Sequence, residues 1–299
     1  MKLLCTSLVL ACVSGSVLAA VPSTDTSDSP NRNLTGFEAL NEAQPLWEVG
    51  VGGGMIEVPN YPASKERNFV ALAAPYAIYR GDIFRIGGDG GARAVFVENN
   101  RLELDMSFSG AFSADSDDDS VRRGMPELDY LFEAGPQLIY KLKDFAFAGG
   151  GQGRLTGRVQ ARAVFSTDLG DIHARGYVFE PTLRYQQRGV LFPDTGLSLA
   201  FRMTWASEKL HDYFYEVAPE YQTETRRAYN GKGGYLGSEA SVGISFPLLH
   251  RVRGFFGASV QFNQGAANED SPLYERDITY SIGMGFVWRA YKSDTKSSW

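Results

Sequence analysis

The sequence predicts an all-β fold: a transmembrane antiparallel up-and-down β-barrel of about twelve strands, with ten as the alternative. Three features carry this. Segments of about ten residues alternate apolar and polar positions, the period of a strand whose two faces meet different surroundings. The first twenty residues have the form of a secretory signal. Beyond them no apolar run reaches the roughly 18 residues of a membrane helix. A spanning structure therefore has to be a closed barrel, since lipid cannot satisfy an open sheet edge.

The signal, "MKLLCTSLVLACVSGSVLAA" (1–20), sets one Lys before an apolar stretch and small residues, with cleavage after Ala19 or Ala20. "VLAC" (9–12) loosely suggests lipid attachment at Cys12, but apolar character continues past that cysteine. Cys5 and Cys12 both fall inside the signal, so the mature chain is expected to hold no thiol, disulfide or Cys metal site. Losing Lys2 takes 29 Lys+Arg to 28 against 35 Asp+Glu, a net charge of about −7, which speaks against a nucleic-acid partner. Residues 21–45, rich in Ser, Thr, Asp, Asn and Pro without period, read as a flexible periplasmic arm. The barrel is assigned to 46–289 and a polar periplasmic tail to 290–299, which places both termini in the periplasm.

Taken in order, 46–57 rises to the loop "PNYPASKER" and 68–80 returns to the tight "YRGD". Two short strands follow at 82–87 and 92–98, where the glycines of "GGDGG" (87–91) blur the hairpin and leave ten strands open. Residues 101–112 show two faces openly: Leu102, Leu104, Met106, Phe108 and Phe112 oppose Arg101, Glu103, Asp105, Ser107 and Ser109. The chain then returns along 126–142 to a turn at Lys143 and Asp144. Residues 145–166, 174–188, 196–206, 234–246, 251–263 and 277–289 complete the set, with long loops alternating with short turns. Aromatics at strand ends (Trp47, Tyr79, Tyr140, Tyr185, Trp205, Tyr235, Tyr280, Trp288) suit the membrane interfaces.

If the apolar faces meet lipid, the polar faces line the lumen. Strands around 101–142 contribute Glu103, Asp105, Glu127, Asp129 and Glu133. Those around 151–202 contribute Arg154, Arg158, Arg162, Arg184, Arg188 and Arg202. One interior wall should then be acidic and the next basic. The expectation is a filled or narrow lumen held by ion pairs, since charges removed from bulk water need partners. A water-filled path with a transverse field is the alternative.

Enzyme chemistry is not expected. His173, His211 and His250 fall in loops or their margins; "HDY" (211–213) with Ser207 nearby lacks any specified hydrogen-bonding geometry. The run Asp115, Asp117, Asp118, Asp119 offers oxygens for a hard cation, but lacks the Gly and distant Glu of a calcium loop and reads as a solvated outer loop. "GGDGG" precedes no helix and reads as a turn, not a phosphate cradle. No catalytic, cofactor or metal residues are assigned. The 27-residue stretch 207–233 exceeds a hairpin turn, as functional loops do.

Six segments resemble one family in order: "WEVGVGGGMIEVPNYPAS" (47–64), "PYAIYRGD" (75–82), "GMPELDYLFEAGPQL" (124–138), "FEPTLRY" (179–185), "DYFYEV" (212–217) and the closing strand. The chain is similar to the MltA-interacting protein (MipA/OmpV) family of outer-membrane proteins. It departs at Ala63-Ser64, where the family has Gly-Ser, and in the tail after Trp288. The resemblance implies a Gram-negative outer-membrane barrel in contact with lipid and lipopolysaccharide. It further implies a scaffold joining a membrane-bound lytic transglycosylase to a penicillin-binding peptidoglycan synthase; other members look like channels, adhesins or uptake routes for polar or cationic solutes. Ser281, Gly283, Phe286 and Trp288 in "YSIGMGFVW" (280–288) resemble the signal read by the barrel assembly machinery on a closing strand.

Overall fold

A computed structural model describes residues 45–86, 92–111, 121–147, 151–189, 192 and 194–297. The signal segment with Cys5 and Cys12, nearly all of the N-terminal arm, the "GGDGG" run and the acidic run 115–119 lie outside the described residues. Twelve strands form one closed antiparallel barrel, each pairing with its sequence neighbours and β1 closing on β12. They are β1 (Trp47–Pro59), β2 (Arg67–Arg80), β3 (Phe84–Ile86), β4 (Ala92–Glu98), β5 (Leu102–Ala111), β6 (Tyr130–Ala146), β7 (Gln152–Thr167), β8 (Ile172–Arg188), β9 (Gly196–Ala206), β10 (Gly234–Leu249), β11 (Val252–Phe262) and β12 (Ile278–Lys292). A helix, α1 (Glu208–Tyr215), follows β9.

Alternation puts the apolar residues outside. On β12, Ile278, Tyr280, Ile282, Met284, Phe286 and Trp288 are 40% to 59% exposed, whereas the intervening Thr279 and Gly283 are buried. The same sorting holds on β5, where Glu103, Asp105 and Ser107 are buried and Phe108 is exposed. Such a belt of exposed large apolar side chains around a polar interior inverts the arrangement of a soluble protein and fits a barrel sunk in hydrocarbon. The exposed rings of Trp47, Tyr79, Tyr140 and Trp288 mark one rim. The ring chain Phe179–Trp205–Tyr235, with centroids 6.2 and 5.6 Å apart, marks the other.

The two rims differ. At one, connections are short: Asn99 Oδ1 accepts from the backbone N–H groups of Arg101 and Leu102 at 2.9 and 3.0 Å, the side-chain turn that makes Asn common in tight reversals. At the other, the chain spends residues 207–233 and 263–277 between strands. Both barrel ends lie at the short-turn rim, since Glu48 pairs with Lys292.

The closing seam depends on glycine. Gly54 faces Gly285 across β1 and β12. A Cβ on Gly54 would sit 2.7 Å from the Met284 carbonyl oxygen, and one on Gly285 would sit 2.8 Å from that of Gly53. Close backbone approach of this kind is available to glycine alone.

Several boundaries differ from the sequence expectation. The turn expected at Lys143 and Asp144 is strand: a register shift between Lys141 and Lys143 lets β6 run to Ala146, with Asp144 paired to Arg154. At its other end β6 begins at Tyr130, so Glu127 and Asp129 precede the strand. The polar tail is also partly structured. β12 extends to Lys292, the Leu46 N–H donates to the Thr295 carbonyl and the Ser293 N–H to the Trp47 carbonyl, both at 2.9 Å, because the edge beyond β1 offers backbone groups that need partners.

Candidate functional site: a layered lumen under a folded cap

Three layers follow one another along the barrel axis. In the middle, a polar belt crosses seven strands. The Asp105 carboxylate accepts from the Gln137 amide at 2.9 Å. Gln137 in turn accepts from the Gln160 amide, and Gln160 from the Arg162 guanidinium. Arg162 lies 2.7 Å from Glu133 and 3.7 Å from Glu180. Arg202 then bridges Glu180 at 3.8 Å and Glu239 at 3.1 Å, and the Ser259 hydroxyl donates to Glu239 at 3.2 Å. On the other flank, Glu103 is fully buried between Arg85 (3.2 Å) and Arg93 (3.5 Å), and Arg85 also holds Glu98 at 2.7 Å. Desolvated charges so placed persist only when partnered, and these are.

The short-turn side of β6 to β8 is basic. Arg154 lies 2.7 Å from Asp144, and Lys141 approaches the same carboxylate at 3.0 Å. Register places Arg158 across from Thr182, Arg184 across from Thr156 and Arg188 across from Gln152, all on the inward face. Arg154 and Arg188 are buried; Arg158 and Arg184 are half-buried.

The loop side is closed by packed side chains. Tyr61, Met125, Leu128, Leu210, Phe214, Tyr215, Val217 and Leu273 come from four loop segments. They pack as one core with the inward Leu131, Val164, Val178, Ala206 and Leu236 of the strands. Alternating strands end here in apolar residues because the cap covers them. Hydroxyl and guanidinium groups tie the segments together: Tyr61 donates to the Leu273 carbonyl and Tyr215 to the Pro62 carbonyl, each at 2.8 Å. Arg226 donates to the carbonyls of Val121 (2.7 Å), Arg123 (3.1 Å) and Tyr221 (2.8 Å). Burial pushes the Tyr215 phenol up from its ordinary range. Ala63 takes φ 65° and is fully buried, with its carbonyl accepting from the N–H groups of Glu275 and Arg276. The left-handed value shows why glycine suits that position.

His211 is buried in this cap. Its Nδ1 lies 2.7 Å from the Asn268 amide nitrogen and its Nε2 3.2 Å from the Gly234 carbonyl, so Nδ1 accepts and Nε2–H donates. Burial holds its pKa below the ordinary histidine value. Asp212 accepts from the Gly231 N–H at 2.9 Å, and the Ser207 hydroxyl accepts from the Tyr177 N–H at 3.1 Å. The three side chains of the Ser207, His211 and Asp212 candidate thus serve separate structural bonds. Asn268, which also accepts from the Lys232 N–H and the Tyr229 hydroxyl, gave no signal in the sequence.

Of the residues assigned to the lumen, Glu103, Asp105, Glu133, Arg154, Arg158, Arg162, Arg184, Arg188 and Arg202 sit on inward strand positions. Two do not. Glu127 is exposed on the loop ahead of β6, and Asp129 sits at the loop-side rim, 3.6 Å from Arg175. The acidic wall beside a basic wall is also corrected: acids and guanidiniums interleave around the belt, because adjacent strands place Glu133, Arg162, Glu180 and Arg202 within reach of one another. In the closing-strand pattern, Phe286 and Trp288 point outward; Ser281 and Gly283 occupy the alternate, inward positions. Among the described residues no group of three or more His, Cys, Asp or Glu is arranged to hold a metal ion.

Comparison with solved structures finds the NanC porin, at 11% identity over 80% of this chain and 98% of that one, TM-score 0.37. The CymD monoaromatic hydrocarbon channel is 10% identical over 84% and 90%, TM-score 0.31. Outer membrane phospholipase A from Escherichia coli is 11% identical over 82% and 94%, TM-score 0.28. At these scores the likenesses carry no functional weight. No curated protein matches the sequence. The family described as MltA-interacting protein MipA matches residues 50–290, which takes in nearly all of the barrel and its cap. The chain belongs to the MltA-interacting protein MipA family.

Proposed function

We propose that this protein is an integral outer-membrane barrel that acts as a non-enzymatic scaffold for peptidoglycan remodelling, holding a membrane-bound lytic transglycosylase and a penicillin-binding synthase. The observation that carries the proposal is the family match over 50–290, whose description names interaction with MltA. The apolar outer belt supports insertion beside lipid and lipopolysaccharide, and the outward Phe286 and Trp288 suit reading by the barrel assembly machinery. The short-turn rim, with both barrel ends, is then periplasmic, where murein enzymes work. The folded cap faces outward, and the paired belt supports a rigid body more than an open pore.

One observation favours a second reading, a channel, adhesin or uptake route for polar or cationic solutes. Arg202 points inward at mid-wall, yet its side chain is 43% exposed, so the lumen beside β9 leaves space at this guanidinium. Crosslinking in intact cells tests the scaffold: recovery of a lytic transglycosylase is expected. Capture of surface ligands with no murein enzyme would remove it. Large, steady conductance in planar bilayers would move the channel to first place.

A further inference from the structure

Inside the cap, His211 and Asn268 meet with every hydrogen-bonding position of both side chains accounted for. Both residues are fully buried. The Asn268 Oδ1 accepts from the Lys232 N–H at 2.8 Å and from the Tyr229 hydroxyl at 3.0 Å, and its Nδ2 donates to the Lys232 carbonyl at 2.9 Å. A backbone N–H at one end and a backbone carbonyl at the other fix which end of the amide is nitrogen. The second Nδ2 hydrogen meets His211 Nδ1 at 2.7 Å, so Nδ1 accepts, and Nε2–H donates to the Gly234 carbonyl at 3.2 Å. These bonds admit one state of the ring, neutral with its proton on Nε2.

A second proton would set Nδ1–H against the amide N–H, two donors facing each other with no exposed surface at either residue. Turning the amide over brings no relief, because Lys232 and Tyr229 would then face the wrong end of it. The ring has little room to swing: it stacks on Tyr215 at 6.0 Å and 26°, and Gly231 packs on α1 so closely that a Cβ there would lie 2.6 Å from the Asp212 carboxylate. A buried donor without an acceptor is costly, so a protonated ring favours parting of the three segments that meet at it: α1, 229–234 and 263–277. The neighbouring ionisable groups do not supply this effect. Asp212 accepts from the Gly231 N–H and faces Glu208; burial raises its carboxyl, which favours the closed cap in acid, the opposite sign. Lys232 and Asp270, 3.9 Å apart, are mostly exposed, and Glu269 is tied to the Gly265 N–H. The phenols of Tyr215 and Tyr229, raised by burial, stay neutral.

We propose that His211 and Asn268 form an acid-released latch: a second proton on the ring parts α1 from 229–234 and 263–277 and loosens the cap over the lumen. The remaining ties of the cap, from Tyr61 to Leu273, from Tyr215 to Pro62 and from Arg226 to Val121 and Arg123, are made by phenol hydroxyls and a guanidinium and involve no histidine. Release is therefore local to the latch and leaves the barrel wall and the rest of the cap in place. Histidine is the side chain suited to such a switch, because its ordinary charge change falls just below neutral pH. The latch stands independently of the scaffold reading.

The test is amide hydrogen exchange of the full-length folded protein in detergent at pH 7.5 and pH 5, corrected for intrinsic exchange. Protection of α1, 229–234 and 263–277 is expected to fall together by about tenfold, within the roughly thirtyfold that one proton can give across the ordinary histidine pKa. Residues 121–126, tied to Arg226, are the internal reference and should not change. In His211→Gln, whose amide can accept from Asn268 and donate to Gly234 without titrating, the fall should be absent. Asn268→Asp, which offers the protonated ring an acceptor, should likewise remove it. His173→Gln, at an exposed histidine that begins β8 beside Ile172, is the control and should keep the fall. Folding of each variant is checked by the mobility difference between boiled and unboiled samples on gels. Unchanged protection in the wild type, a fall confined to α1, an undiminished fall in either latch variant, or its loss in His173→Gln would each overturn the proposal.

Discussion

The arc of wall from β5 to β9 and the arc from β10 through β12 to β2 belong to one barrel and hold together differently. The first is held from inside by side chains: Asp105, Gln137, Gln160, Arg162, Glu133, Glu180 and Arg202 link strand to strand across the lumen face. The second has such links only towards its rims, where Glu48 joins Arg80 at 2.8 Å and Arg289 at 3.1 Å and Glu57 holds Arg67 at 2.6 Å. At mid-wall Gly243 faces Gly257, Gly257 faces Gly283 and Gly285 faces Gly54, so there the ladder itself and close backbone approach do the holding. The charged arc should therefore tolerate changes in backbone fit and resist loss of charge, and the glycine arc the reverse.

The largest effect is expected at the seam. Gly54→Val places carbon 2.7 Å from a backbone oxygen that cannot move without opening β1 from β12. Strain of this kind exceeds about 4 kcal/mol. The variant should give no heat-modifiable band, while Thr156→Val, a polar loss on the charged arc, should still fold. A normal band for Gly54→Val would break the comparison.

Next in size is Arg162→Met. It leaves Glu133 and Glu180 facing each other without the cation between them. Breaking a buried pair by removing one partner costs about 3–5 kcal/mol. The temperature at which the unboiled band converts to the boiled form should fall markedly. Arg162→Met together with Glu133→Gln should recover part of the loss, and a double variant no better than the single would remove the charge-pairing account.

Much of this contrast was legible in the sequence, and its limits are physical. Alternation placed Glu103, Arg162 and Arg202 inward because a strand has period two and one face must meet lipid. It could not tell which acid meets which base, since that depends on strand tilt and register, and so it does not show that Glu133, Arg162, Glu180 and Arg202 interleave from strand to strand. Glu127 was placed in the wall because nothing in "GMPELDY" (124–130) announces where pairing starts. The cap was least visible. Tyr61, Met125, Leu210 and Leu273 lie far apart in sequence, and segments without a period give no sign that they will share a core. "DYFYEV" (212–217) supplied aromatics, but nothing pointed to Asn268.

The cap gives the third effect, on the order of 1 kcal/mol. His211 is neutral when its Nδ1 accepts from Asn268, and its folded pKa lies below the unfolded value of about 6.5. Its contribution is therefore complete above that value and is lost as pH falls through the lower folded one. Of the neighbouring ionisable groups, the Asp212 carboxyl is raised mainly by burial, so its contribution is lost as pH rises out of the carboxylate range. Lys232 and Asp270 lie 3.9 Å apart beside the site, and the Tyr215 phenol, raised by burial, stays neutral between pH 5 and 8. Protection of the α1 amides, corrected for intrinsic exchange, should decrease from pH 7.5 to pH 5. His211→Gln should flatten that dependence. Unchanged protection in the wild type would sink the prediction.

The smallest effect lies at the short-turn rim, beyond the seam that the glycines close. Residues 293–297 add backbone bonds to 45–47: Ser293 N–H to the Trp47 carbonyl, Leu46 N–H to the Thr295 carbonyl and a bridge between Pro45 and Lys296. Hydrogen bonds at this exposed rim compete with water, so together they contribute less than about 1 kcal/mol. Deleting 293–299 should thus spare assembly and lower the conversion temperature only slightly, because Phe286 and Trp288 and the full β1–β12 ladder remain. Replacing Phe286 and Trp288 together with Ser, which leaves the tail bonds intact, should impair assembly in cells far more. If the deletion proved the more damaging of the two, the glycine seam would not close the barrel unaided, and the tail strand would have to be counted as part of the wall.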